Sequence, residues 1–268
     1  MLKARVVTAL FLASGLIAAL FFLPRLGVVA AFTGIVAIAA WEWAGLLKAG
    51  TKARWLFGLA TWLPCAVLYS SGMPATVLVV LWYLALVFWL LLVPAWFRQR
   101  WALRADAAGF LLGWLLLIPS WAAMVSLQAR SPWLLLAALA LVWVADIAAY
   151  FSGRSFGRHK LAPSISPGKT WEGALGAGLG VLVYAAVLGA ATGRLGQLDW
   201  LQILLAGIGL LGLTAVSILG DLFESLAKRQ AGVKDSSALL PGHGGVLDRI
   251  DSLTSSLPLA GLAALLIA

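Results

Sequence analysis

Between Ser225 and Asp251 the sequence reads SLAKRQAGVKDSSALLPGHGGVLDRID. It sets Lys228, Arg229, Lys234, Arg249 and His243 beside the carboxylates Asp235, Asp248 and Asp251, between two apolar segments. Only 11% of the 268 residues are charged, so this concentration is where chemistry is to be sought. Asp221 and Glu224 stand three apart just before it, and Asp248 and Asp251 repeat that spacing at its end. On a helix each pair shares one face, and like charges there are unfavourable unless a cation lies between them. A hard divalent ion is the natural answer, because magnesium is usually held by one or two carboxylates together with substrate phosphates. Asp221, Glu224, Asp248 and Asp251 are the expected ligands, with or without a second, monovalent cation. Two pairings compete with that reading: Glu224 with Lys228 one turn later, and Asp248 with Arg249 or another loop cation.

A second polar loop, residues 152–172, carries Arg154, Arg158, His159, Lys160 and Lys169. Ser166-Pro167-Gly168-Lys169 reads as a helix start, with Ser166 as N-cap and Pro167 at the first helical position. The free backbone N–H groups of such a terminus bind phosphate, and Lys169 would add charge beside them. The SPGKT string is not a P-loop, because that motif needs Gly where this chain has Pro163. Pro241 to Gly245, PGHGG, reads as a tight loop in which Gly244 and Gly245 let the backbone approach a triphosphate, with His243 as a phosphate ligand or proton carrier. Asp146 and Tyr150 fall one turn apart at the border of an apolar segment, where an ionisable residue is costly and tends to be functional.

The elements that must position these groups are membrane helices. Apolar residues make up 63% of the chain, far above the roughly 45–50% of a soluble domain. Nine apolar stretches approach the about 17–25 residues a helix needs to cross the hydrocarbon core: 6–23, 27–47, 55–70, 75–97, 108–127, 133–151, 173–192, 200–222 and 250–267. The fold class expected is therefore all-α, a polytopic integral membrane protein forming one domain over 1–268. Alternating the loops across nine spans puts Lys3, Arg5, Lys48, Lys52, Arg54, Arg98, Arg100, Arg104 and every cation of the two polar loops on one side. Only Arg25, Arg130 and Arg194 remain on the other. That asymmetry places the N-terminus and both polar loops in the cytoplasm and the C-terminus outside. It also accounts for the net charge of +9 without nucleic acid.

Lys3 and Arg5 before an apolar run suggest a signal peptide, but no small-x-small cleavage site precedes Pro24. The lone Cys65 can form neither an intrachain disulfide nor a cysteine metal cluster. Eight of the ten acidic residues lie from Asp146 onward, so residues 1–130 read as scaffold and 131–268 as the chemical half. Gly173, Gly176, Gly178 and Gly180 give one helix the small residues that close packing or homodimerisation uses. Glu42, inside the second apolar stretch, is expected either to pair with a cation from another helix or to border a lipid entrance.

The pattern S-x-x-K-R-x4-K-D-S-x2-L-x-P-G-H-G-G-x-x-D-R-x-D resembles the phosphatidate cytidylyltransferase (CDP-diglyceride synthase) family, and ADIAAYFSGRSFGRHKLAPSISPGKTWEG resembles that family's other polar loop. This chain has Ile147 and Ala148 where members commonly carry Ser or Thr followed by Gly. The resemblance implies attack of phosphatidate on the α-phosphorus of CTP at the bilayer border. Asp221, Asp248, Lys169, Lys228 and Arg229 would be the catalytic groups. Asp146, Ser166, Lys234, Asp235, His243, Gly244, Gly245 and Arg249 would be substrate contacts. A CTP-dependent lipid kinase is the rival within enzymes. A secondary transporter using Asp146 and Asp221 as a relay is disfavoured, because the polar residues cluster in same-side loops and not at the midplane.

Overall fold

The computed structural model describes residues 2–266, with side chains from Val7 onward; the Lys3 and Arg5 side chains and position 267 of the last expected span lie outside the described residues. Helices dominate, in the order α1 (Leu2–Phe22), α2 (Arg25–Leu46), α3 (Thr51–Ala60), α4 (Trp62–Ser70), α5 (Ala75–Val87), α6 (Val93–Gln99), α7 (Ala107–Arg130), α8 (Pro132–Phe156), α9 (Trp171–Ala191), α10 (Trp200–Ala231) and α11 (Leu247–Leu266). A hairpin of β1 (Lys160–Ala162) and β2 (Ser166–Thr170) precedes α9, with Lys160 opposite Thr170 and Ala162 opposite Ser166.

Among the described residues, six helical stretches are long and apolar enough to cross a bilayer: 25–46, 75–99, 107–130, 132–156, 171–191 and 200–231. The other three expected spans differ for local reasons. Residues 55–70 are divided between α3 and α4 at Thr61, where Pro64 has no N–H to offer the carbonyl of Ala60. Within 75–99, Pro94 is likewise preceded by a π-helical turn, Phe88–Leu92, that links α5 to α6. α11 is 20 residues long but opens on LDRIDSLTSS, too polar for a simple span. In α1, the described apolar part runs only from Val7 to Phe22.

Buried polar side chains of the bundle bond backbone across helices, in one case a carbonyl that a proline leaves free. Pro258 in α11 cannot bond the Thr254 carbonyl, and Ser120 Oγ of α7 donates to it at 2.8 Å. Trp82 Nε1 donates to the Pro119 carbonyl at 3.0 Å, while its ring occupies the space that Gly261 leaves open. Behind the functional face, Trp43, Phe88, Trp89 and Trp96 surround Phe223 of α10 with ring centroids 5.5 to 6.3 Å away. This wedge fixes the rotation of α10 about its axis.

The small residues of α9 serve packing inside the chain. Side chains added at Gly173, Gly176 or Gly180 would strike Ala149, Ser152 or Ala148 of α8, and one at Gly178 would strike Leu211 of α10.

Candidate active site

α10 sets the depth of the site. Its Asp199 cap and Gln202 form a reciprocal capping box, and its other end closes on Gly232 at φ 81°. Its 32 residues extend about 48 Å, well beyond a hydrocarbon core of about 30 Å. Asp221, Glu224 and Lys228 lie in the last third, where the apolar run of the helix gives way to DLFESLAKRQ.

The hairpin brings Lys169 to that end. Ile165, at its tip, is buried against Leu222 and Leu226 of α10, and Arg100 Nη2 donates to Ser164 Oγ at 2.8 Å. So held, Lys169 Nζ lies 2.5 Å from Asp221 Oδ2. Ser166 is not an N-cap as its spacing suggested; it pairs within the hairpin, and the cap of α9 is Thr170, whose hydroxyl accepts from Gly173 N at 3.1 Å. The chain stays extended through Pro167 and Gly168 because strand pairing with 160–162 competes successfully with helix initiation. The free N–H groups of α9 therefore lie four residues later than expected.

Lys228 is the second fixed cation. Its Nζ is 2.6 Å from Asp248 Oδ1 and 3.0 Å from Glu224 Oε1, with all three side chains largely enclosed. The Glu224 contact is an ion pair off the hydrogen-bond direction, and neither Glu224 oxygen has a hydrogen-bond partner among the described residues. Asp248 reaches the site already bonded. Its Oδ2 accepts from Ser236 N, Ser236 Oγ and Gly245 N at 2.8, 2.9 and 2.7 Å. A metal ligand there would have to displace Lys228 from Oδ1. Asp251 lies within electrostatic reach of Asp221, Asp146 and Lys228, and Asp146 within reach of Asp221, Lys169 and Arg249. Asp146 itself is exposed.

Beside these groups, Arg229, Lys234, Asp235 and Arg249 are exposed around the rim. Arg229 makes only a long contact, 3.5 Å, with the Val233 carbonyl. The PGHGG segment is the tight loop its sequence suggested, with Gly242 and Gly244 at φ 77° and 79° and a bridge from Leu240 to Gly244. Its glycines approach carboxylates of this chain: a Cβ on Gly244 would sit 2.7 Å from Asp248 Oδ2, and one on Gly245 2.5 Å from Glu42 Oε1. His243 Nδ1 is buried without a partner among the described residues.

Glu42 is the residue that sequence reasoning left unplaced. It is fully buried in α2 and meets neither a cation nor a lipid entrance. Its Oε1 accepts from Ser237 Oγ at 2.6 Å and Val246 N at 3.0 Å, and its Oε2 from Ser236 Oγ at 3.1 Å and Leu247 N at 2.6 Å. The last two amides belong to the unpaired N-terminus of α11, where a negative charge is favoured. One carboxylate thus ties the scaffold half to the loop that orients Asp248. The available signal was its cost: a carboxylate in an apolar helix demands donors, and the serine pair after Lys234-Asp235 was the nearest supply.

At one end of the bundle, two lysines, one from the hairpin and one from α10, are pinned to carboxylates, with further cations on the rim and an exposed aspartate beside them. That is an arrangement for polyanions and hard cations. Comparison with known proteins agrees with it. Residues 3–266 match the model of a family described as the cytidylyltransferase family. A Pseudomonas aeruginosa protein named phosphatidate cytidylyltransferase is 43% identical over 96% of this chain and 95% of its own length. A Haemophilus influenzae protein of the same name is 50% identical over 47% of this chain and 43% of its length, and one from Synechocystis 50% over 46% and 40%. A match over nearly the whole length, centred on chemistry of this kind, has one meaning: the chain belongs to the cytidylyltransferase family.

Proposed function

We propose that the chain transfers the cytidylyl group of CTP to phosphatidate, giving CDP-diacylglycerol and diphosphate. The observation that carries this reading is the convergence of Lys169 with Asp221 and of Lys228 with Asp248 at one end of α10. The names of its relatives point the same way.

A phosphate oxygen of phosphatidate forms a bond to the α-phosphorus of CTP, and the bond from that phosphorus to the bridging oxygen of the β-phosphate breaks. The barrier is dominated by bringing polyanions together, so positioning and fixed charge supply most of the catalysis. In this assignment Lys169 and Lys228 take phosphate oxygens, each already oriented by a carboxylate. Arg229, Lys234 and Arg249 neutralise the charge that remains, while Asp146 and the loop from Asp235 to Gly245 border the nucleotide. No general base is required, because a phosphate monoester with a second pKa of about 6 is already largely dianionic at neutral pH.

The donor set fits magnesium. Among the described residues no three His, Cys, Asp or Glu side chains converge tightly enough to hold an ion alone, but magnesium is commonly completed by substrate phosphates. Glu224 offers carboxylate oxygens without hydrogen-bond partners. Asp221, Asp251 and Glu224 would hold the ion, which when bound supplies neutralisation of phosphate oxygens. Asp248 would act through Lys228 and the loop. We place the site at the cytoplasmic border of nine crossings, with the N-terminus inside and the C-terminus outside, on the distribution of Lys and Arg along the sequence.

The test is product identity. Purified protein with radiolabelled CTP and phosphatidate should yield CDP-diacylglycerol and diphosphate with magnesium and neither with chelator. Release of CDP with a phosphorylated lipid alcohol would replace this reading with a lipid kinase.

A further inference from the structure

The geometry points to an acyl-chain site: we propose that the groove between α2 and α3 receives one fatty-acyl chain of the phosphatidate substrate. The inference rests on the reaction proposed above and adds where the lipid part of that substrate lies. The groove has a volume of about 440 Å³ and an almost wholly apolar lining that includes Gly34, Trp41, Trp55, Leu59, Trp62 and Leu239. That volume falls in the range of formed ligand sites.

Three features distinguish it from an ordinary crevice between membrane helices. First, it is continuous with the catalytic loop. Leu239 comes from that loop, and Ser237, two residues earlier, donates to Glu42, the neighbour of Trp41. Second, Trp41 Nε1 is buried without an acceptor among the described residues. An indole N–H in that state is unfavourable, and a rotation of the ring toward the groove it lines would bring it to the ester carbonyl of a glycerolipid, an oxygen at the head of an apolar chain. Third, the Arg54 guanidinium stacks 3.8 Å over the Trp41 ring, and its Nε donates to the Trp41 carbonyl at 3.4 Å. A cation is therefore fixed beside the indole, matched to an anionic headgroup. Gly34 leaves the space open, since a Cβ there would meet nothing within 4 Å.

The experiment compares dipalmitoyl- with dihexanoyl-phosphatidate in mixed micelles for wild type, Gly34→Phe and the exposed control Gly15→Leu. Filling the groove at Gly34 should lower the ratio of kcat/KM for the long over the short chain by about tenfold, the change that unburying roughly two methylene groups produces. The control should keep the wild-type ratio. Trp41→Phe should raise KM for phosphatidate several-fold and leave KM for CTP unaltered. An unaltered chain-length ratio in Gly34→Phe, with CDP-diacylglycerol still formed, overturns the groove; no CDP-diacylglycerol from wild type with either lipid overturns the reaction instead.

Should Gly34→Phe not fold, wild type settles the question with a phosphatidate carrying a diazirine at the chain terminus. Cross-links to the α3–α4 segment around Leu59 and Trp62, displaced by excess phosphatidate but not by phosphatidylcholine, support the site. Cross-links elsewhere, or equal displacement by both lipids, mean that only bulk bilayer chains occupy the groove and refute it.

Discussion

Lys228 is the residue on which two enclosed carboxylates depend, since its ammonium faces both Glu224 and Asp248. Removing one partner of a buried pair leaves charge without compensation, at about 3–5 kcal/mol. Lys228→Met should therefore lose activity and also lower the thermal midpoint of the detergent-solubilised protein, and adding Glu224→Gln should recover part of the midpoint but no activity. Asp221 gives the opposite balance, because it is partly accessible and paired with the equally accessible Lys169. Asp221→Asn should reduce kcat by at least about a hundredfold, the scale of losing one fixed charge-stabilising group, with membrane insertion and thermal midpoint close to wild type. Wild-type turnover in that variant would remove Asp221 from the site. These charges were legible in the sequence, as was the choice between ion binding and pairing for Glu224. Which partner Asp248 takes was not, because Arg249 is adjacent in sequence whereas Lys228 arrives from another helix.

The loop from Gly232 to Val246 is held by hydrogen bonds to carboxylates on two other elements and has little apolar contact of its own. Glu42 on α2 accepts three of them, and a fourth bond from Leu247 N at the start of α11, while Asp248 on α11 accepts three. Glu42→Gln keeps the shape but turns an N–H₂ group toward donors, leaving buried donors unsatisfied at about 1–3 kcal/mol each. The expected result is a loop that trypsin cuts at Lys234 many times faster than in wild type, together with reduced kcat. Equal proteolysis rates would mean that the loop is held by something other than Glu42. Thr170→Ala should be milder, about 1 kcal/mol, because it removes a single N-cap. The elements themselves followed from apolar runs and glycine turns. The hairpin did not: its two strands are three and five residues long, and Ser166-Pro167 carries a genuine helix-start signal that is overridden by pairing with 160–162 and by the packing of Ile165 on α10. Glu42 was equally hidden, since its donors lie 194 to 205 residues away.

Across the whole molecule, the bundle places every site carboxylate and the paired lysines at one end, while Arg25, Arg130 and Arg194 mark the loops expected at the other. Hydropathy made the membrane class plain and six long helices with it, but it could not separate a crossing from a helix interrupted by Pro64 or one opened by Asp248, Arg249 and Asp251. The orientation itself is testable through α9, which alone with the short turn after it separates Gly168 from Gly196. Both glycines have open space around a built Cβ, so cysteines fit there without strain, and the native Cys65 is 1% exposed and should stay silent to brief labelling. In intact cells a membrane-impermeant maleimide should label Gly196→Cys but neither Gly168→Cys nor Lys52→Cys, and permeabilisation should expose the latter two. Labelling of Gly168→Cys and Gly196→Cys from the same side would mean that α9 does not cross. It would then detach the hairpin, and with it Lys169, from the face where a water-soluble nucleotide must meet a lipid phosphate.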